Sequence, residues 1–224
     1  MKILKSLLIG VLLVAITGLT SCKVEDDYEQ LYLAMGNVIG NSPSTFLIEA
    51  DDGTILRPIE YPSDYDEIIE GKRVFFYFKH VDAGRDDQNF DYSIRIQAMQ
   101  DVLTKGILNV DSEGRDTLKR DPVRIINAWI GKSYLNVEFS FFGHEKAHIF
   151  DLLLDPGEQY KGGFTTLDFH HDARNDKQYY NLRGIISFDL TELQKESVDS
   201  INIFFRADDD SFTSRELIYR YSDE

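Results

Sequence analysis

Cysteine occurs once in the 224 residues, at Cys22, so no disulfide can close within the chain and no zinc site of the multi-cysteine kind can form. Proline is nearly as scarce, at 5 residues, and 15 glycines are too few for a collagen-like or linker-dominated chain. Positive charge is the third shortage: 24 Lys and Arg stand against 39 Asp and Glu, a formal charge of −15. Such a field repels phosphate backbones, which excludes nucleic acid as a partner. Long apolar runs are missing too, since the stretch from Leu7 to Ile16 falls short of the ~20 residues that cross a hydrocarbon core. What remains is 42% hydrophobic and 28% charged. That suits a globular protein, and its length suits two domains, because single cores usually serve about 100–200 residues.

Met1 to Ser21 has the layout of an export signal: Lys2 and Lys5, the apolar run, then the small stretch Thr17-Gly18-Leu19-Thr20-Ser21. The lone cysteine follows, and Leu19-Thr20-Ser21-Cys22 resembles the bacterial lipobox. That resemblance implies a diacylglyceryl group on the Cys22 thiol and cleavage by lipoprotein signal peptidase between Ser21 and Cys22. Small side chains at Thr20 and Ser21 let a peptidase reach the backbone, and sulfur forms the stable thioether. Loss of residues 1–21 removes two lysines and no acids, so the formal charge moves from −15 to −17. Next come Lys23, Val24, Glu25, Asp26 and Asp27. Lys23, Glu25, Asp26 and Asp27 resemble the short acidic signal that sends Bacteroidetes lipoproteins to the outer leaflet of the outer membrane. The expectation is an outer-membrane protein, bound to the membrane through acylated Cys22 and displayed at the cell surface, with a periplasm-facing placement as the alternative. An acidic run also serves as a solvated tether.

Beyond Leu31 the hydrophobic period is two, the mark of strands with one buried face. Leu135, Val137, Phe139 and Phe141 fall on one side of such a strand, opposite Tyr134, Asn136, Glu138 and Ser140. The same alternation marks Leu31-Leu33-Met35, Val74-Phe76-Phe78, Tyr92-Ile94-Ile96, Val123-Ile125-Asn127-Trp129 and Ile201-Ile203-Phe205. Asp52-Gly53 between two apolar runs predicts a hairpin over residues 45–57. Pro156-Gly157 and Gly162-Gly163 read as further punctuation. The polar text from Asn109 to Asp116 places a domain boundary there, with about five strands before it and about seven after. Only Asp189 to Leu193 reads as a short helix, with Asp189 as cap and Glu192 reaching back. The expected organisation is a signal peptide over 1–21, a lipidated acidic tether over 22–30, a barrel domain over 31–115 and a sandwich domain over 116–224.

Several segments in this order resemble the NigD-like lipoproteins of Bacteroidetes. They are Leu33 to Val38, Trp129 to Val137, His148-Ile149-Phe150, Leu167-Asp168-Phe169-His170-His171-Asp172 and Phe188-Asp189-Leu190, behind the lipobox signal. The resemblance spans essentially the whole mature chain. It implies an all-β protein, an N-terminal OB-like small barrel followed by a C-terminal immunoglobulin-like β-sandwich. It also implies a bacteriocin-associated, protective context and supplies no catalytic residues.

His144, His148, His170, His171 and Asp172 raise a metal site, but neither the four-residue gap nor the adjacent pair aims imidazoles at one point of a strand. His148 and His171 read instead as polar residues hydrogen-bonded at the sandwich edge. Asp86-Asp87 and Asp208-Asp209-Asp210 lack the spacing of a calcium loop. No nucleophile elbow, phosphate-binding glycine loop or Cys-His pair occurs. The expectation is therefore no metal, no cofactor and no enzyme, with a hydrolase built on two carboxylates the least favoured reading. Phe75 and Tyr77 lie opposite the inward Val74, Phe76 and Phe78, so they form a possible ligand face or cover the join between the domains. A protein partner and a glycan partner both remain open.

Overall fold

The computed structural model describes residues 30–65, 67–82, 89–160, 163–207 and 214–221. The expected signal peptide, Ser21, Cys22, the export signal of Lys23, Glu25, Asp26 and Asp27, and the acidic runs at 86–87 and 208–210 lie outside these residues. Among the described residues no helix is long and apolar enough to cross a membrane.

Strands β1 (Tyr32–Ile39), β2 (Leu47–Ala50), β3 (Ile55–Glu60), β4 (Arg73–Val81) and β5 (Tyr92–Asp101) close into a barrel in the order β1-β2-β3-β5-β4. Only the β3–β5 pair is parallel. This is the expected OB-like barrel. Its interior holds Val38, Phe46, Ile48, Val74, Phe76, Ile94 and Ile96, so β4 alternates as its sequence demands. The hairpin at Asp52-Gly53 is present: Gly53 takes φ +86°, and Thr54 N donates to Asp52 Oδ1 at 2.9 Å. Strand β1 differs from its apparent pattern. Tyr32, Ala34 and Val38 pack into the barrel, whereas Leu33 is 54% exposed and Met35 lies outside the barrel core. The apolar side of Leu31-Leu33-Met35 is therefore the outer face of the barrel.

The second domain contains β6 (Leu103–Lys105), β7 (Leu108–Asn109), α1 (Ser112–Thr117), β8 (Arg124–Gly131), β9 (Tyr134–Gly143), β10 (Ile149–Tyr160), β11 (Phe164–Asp172), β12 (Tyr180–Asp189), β13 (Ser200–Ala207) and β14 (Arg215–Arg220). One sheet has the order β14-β13-β11-β10-β7 and the other β6-β12-β9-β8. Leu135, Val137, Phe139, Leu152, Leu167, Phe169, Ile186, Phe188, Ile203 and Phe205 fill the space between them. The strand count exceeds the expected seven because β6 and β7 pair in parallel with β12 and β10. The sheets thus change hands near Val102 rather than at residue 115. The polar stretch that reads as a linker is instead a helical turn: Asp111 caps Gly114 N at 2.7 Å, and Arg115 of that turn reaches Asp168 at 3.3 Å. Pro156-Gly157 also departs from expectation. It lies within the register shift of β10 between Leu154 and Gln159, a bulge rather than a turn between strands. The expected helix at 189–193 is a single 3-10 turn, Thr191–Leu193, steadied by Thr191 N donating to Asp189 Oδ1 at 2.8 Å.

Candidate functional site: the cleft between barrel and sandwich

The barrel sits on the outer face of β9 and β12. Two polar side chains of that face, Asn136 and Ser187, face each other across the two strands and are fully buried. Into them reaches Arg73, the first residue of β4, itself 2% exposed. Its Nε donates to Ser187 Oγ at 2.8 Å and its Nη2 to Asn136 Oδ1 at 2.9 Å. On the barrel side, Nη2 also donates to Asp51 Oδ2 at 2.6 Å and Nη1 to Asn37 Oδ1 at 3.1 Å. The guanidinium lies over the Tyr134 ring, 4.1 Å from its centroid. Asn136 Nδ2 closes the network on Asp51 at 3.2 Å, and Ser187 Oγ donates to Asn136 Oδ1 at 2.7 Å. A planar fork that satisfies partners on both domains fixes their relative orientation, which an apolar contact would leave freer. Close approach is possible because residue 131 is glycine; a Cβ there would meet Asp51 Oδ2 at 2.1 Å. Lys132 and Glu49 add an ion pair across the same junction.

Beside this latch the two domains leave a cleft of about 670 Å³, within the usual 300–1,000 Å³ range of ligand sites. Phe75 and Tyr77 form its barrel wall with Leu33, which faces Tyr77 in the β1–β4 register. The two rings meet edge to face at 5.6 Å. The opposite wall holds Trp129, Glu138 and Arg183. Arg183 donates to Glu138 at 2.9 Å. Phe75 and Tyr77 therefore line a cavity at the join, and the two sequence alternatives for them coincide in place. Trp129 departs from its apparent phase: a bulge between Ile125 and Asn127 inserts one residue, so Ile125 and Ala128 turn inward while Asn127 and Trp129 turn to the cleft. Sequence reading also missed Arg73. Its signal was its phase, since it stands on the same side of β4 as Phe75 and Tyr77, where a charge must find a partner on whatever covers that face.

Residues 106–219 match the family described as NigD-like C-terminal beta sandwich domain. The chain belongs to the NigD-like family. Three solved structures share the architecture. A protein of unknown function from Bacteroides vulgatus is 22% identical, with a TM-score of 0.70 over 86% of this chain and 92% of that one. A protein described as toxin-related from Parabacteroides distasonis is 23% identical, with a TM-score of 0.68 over 86% and 94%. A NigD-like immunity protein from Bacteroides caccae is 24% identical, with a TM-score of 0.64 over 84% and 92%. At these identities it is the fold that is shared. No curated protein matches the chain.

His80 stands on β4 of the barrel against Tyr32 and Tyr92; the other four histidines of this NigD-like chain lie at one end of the sandwich and serve its packing. His171 is buried and stacks on Phe150 with centroids 4.7 Å apart; its Nδ1 contacts Pro122 O at 3.0 Å, and its Nε2 lies 2.8 Å from His148 Nδ1. His148 Nε2 faces Asp176 Oδ2 at 3.3 Å, and Asp176 also accepts from His144 N at 2.5 Å. Backbone carbonyls only accept, so His171 Nδ1 carries its proton, and a neutral His171 accepts from His148 through Nε2. His170 points the other way, to Lys119 O at 2.5 Å. Asp172 turns back on Arg174 N at 2.7 Å. Among the described residues no three His, Asp or Glu groups stand together as metal ligands.

Burial holds the His171 imidazole below its ordinary value, reinforced by His148 and opposed by its bond to Pro122 O. Burial alone would raise Asp176, yet the backbone N–H groups of His144, Glu145 and Lys177 and the ring of His148 hold it well below the usual carboxylate range. A histidine depressed in the folded state binds protons more readily when unfolded. Its contribution to stability is therefore complete above about pH 6.5 and declines as the pH falls toward the lower folded value. The unfolding free energy from urea titrations is expected to drop between about pH 7.5 and pH 5.5, by at most ~1.4 kcal/mol per pH unit for one proton. His171→Gln should shrink that drop; an undiminished drop in the variant would show that other groups govern it.

Proposed function

We propose that this protein is a non-catalytic binding module of the immunity type, anchored to the outer membrane by lipid on Cys22, displayed at the cell surface, and receiving its ligand between barrel and sandwich. One observation carries the reading: two domains latched by a buried arginine present an aromatic cleft of about 670 Å³ on their seam. A pre-formed cavity of that kind loses little order on binding. Two of its three acids are held by arginines, Asp51 by Arg73 and Glu138 by Arg183, and the third, Asp52, accepts from Thr54 N in the hairpin turn, which favours holding a ligand over cleaving one. The likeness in fold to a NigD-like immunity protein and to a protein described as toxin-related supports a protective role. The lipobox resemblance of Leu19-Thr20-Ser21-Cys22 supports the anchor, and Lys23, Glu25, Asp26 and Asp27 support the outward address.

The test is a photo-crosslinking phenylalanine analogue placed at Tyr77 or, as control, at exposed Ile218 on β14, in the full-length protein on intact cells of its host. Adducts are expected at Tyr77 and not at Ile218, together with loss of the protein when intact cells are shaved with protease. Equal labelling at both positions, or none at Tyr77, would remove the cleft as the binding site. Survival of the protein under shaving would place it on the periplasmic side.

A further inference from the structure

Resting on the cleft as the binding site, the geometry points to its ligand class: we infer that the cleft and the hollow that continues it take an uncharged, linear oligosaccharide. Arg183 lines both the main cleft and a second hollow of about 390 Å³, where Ser140, Asn181 and Arg124 follow along the outer face of the same sheet. The two hollows adjoin at Arg183 along one sheet face, and together they offer room for more than a single sugar ring. Their lining combines aromatic rings, Phe75, Tyr77 and Trp129, with planar polar groups, Asn127, Gln100 and the Glu138–Arg183 pair. Rings offer flat apolar faces to the C–H faces of a sugar, and amide, carboxylate and guanidinium groups offer paired donors and acceptors to its hydroxyls.

An extended peptide fits less well. It binds by adding a strand to a free sheet edge, where unpaired backbone groups await it. Of the strands that wall the cleft, β4 and β9 are paired on both sides, whereas β12 is joined by β6 only at Ile186–Phe188 and β1 by β2 only from Gly36 onward, so the backbone open to an added strand is confined to short stretches of β1 and β12 and to the edge strand β8. The rings and planar polar side chains supply most of what a ligand would meet. Charge narrows the class further: at a formal −15 the protein repels anionic polymers, and of the two arginines along the lining Arg183 is paired with Glu138, which leaves Arg124 at the far end as the one positive side chain set against the acidic excess.

The chain has a single tryptophan, and it lines the cleft, so its emission reports directly on occupancy. The experiment titrates full-length protein, in a detergent without a sugar headgroup, with uncharged hexasaccharides of β-1,4-glucan, α-1,4-glucan, β-1,4-xylan and β-1,4-mannan, and with their disaccharides. Hexagalacturonate, a hexapeptide and a fatty acid are the contrasting probes. A saturable change in Trp129 emission is expected with at least one neutral hexasaccharide, tighter than with its disaccharide. Tyr77→Ala should weaken it about tenfold, the equivalent of one lost ring contact, with an unchanged urea midpoint. Arg183→Ala should reduce the advantage of hexamer over dimer. The inference is overturned if no neutral hexasaccharide perturbs Trp129, if Tyr77→Ala binds as the parent does, or if only the anionic sugar, the peptide or the fatty acid elicits the response. Should crosslinks at Tyr77 persist in any of those cases, binding at the cleft stands and the ligand class alone falls.

Discussion

Replacing Arg73 by alanine is expected to lower the unfolding free energy by about 3–5 kcal/mol, the usual cost of removing one partner from a buried ionic group. The change deletes donors to Ser187, Asn136, Asn37 and Asp51 at once. It leaves Asp51, whose side chain is 16% exposed, without its counter-ion, and Asn136 and Ser187 fully buried without the guanidinium that both contact. The loss should be felt between the domains more than within them, since barrel and sandwich each have their own apolar core. Urea unfolding followed by Trp129 emission and by far-ultraviolet dichroism is expected to give coincident transitions for the parent and separate ones for Arg73→Ala. Arg73→Lys should fall between the two, keeping the charge but losing the fork that reaches both domains. A loss under about 0.5 kcal/mol, typical of an uninvolved surface position, with transitions still coincident, would mean that the latch does not hold the domains together.

The second large effect concerns the anchor. Cys22→Ser is expected to abolish incorporation of labelled glycerol and fatty acid, and to remove the protein from the outer-membrane fraction. Serine oxygen cannot form the thioether, and without that adduct the lipoprotein peptidase has no substrate. At ~0.8 kcal/mol per buried methylene, two acyl chains amount to far more than thermal energy, so partition should switch from complete retention to none. The uncut chain should run at a higher mass, retaining the segment Met1 to Ser21. A Cys22→Ser protein that still takes up label and still reaches the outer membrane would refute lipidation at this position.

Alternation in the sequence made the barrel interior legible at Val74, Phe76 and Phe78, and the sandwich interior at Leu135, Val137 and Phe139. It also put Phe75 and Tyr77 on the face where they prove to line the cleft. What it could not report is which outer faces a second domain covers. Asn136 reads as the wet side of its strand, yet it and its cross-strand partner Ser187 are fully buried, because the barrel rests on them. Leu33 and Met35 read as a core face and lie outside the barrel core, Met35 buried there and Leu33 half exposed at the cleft. Trp129 was out of reach for a different cause: one inserted residue at the β8 bulge reverses the phase, and period-two reasoning has no means of seeing an insertion. The misplaced boundary follows from β6 and β7, three and two residues long, too short for any periodicity to register.

Those two short strands also bear on how fast the chain can fold. Leu103 pairs with Ile186 and Leu108 with Leu153, both in parallel, and β11 waits for β13 in the same way. Pairings so distant along the chain give a high contact order, and domains of that kind acquire their native state slowly, because long loops must close before any contact rewards the closure. A polypeptide bound for export is threaded across a bilayer before it folds. For the export proposed above, a topology that delays its own completion would keep the chain pliable during the passage.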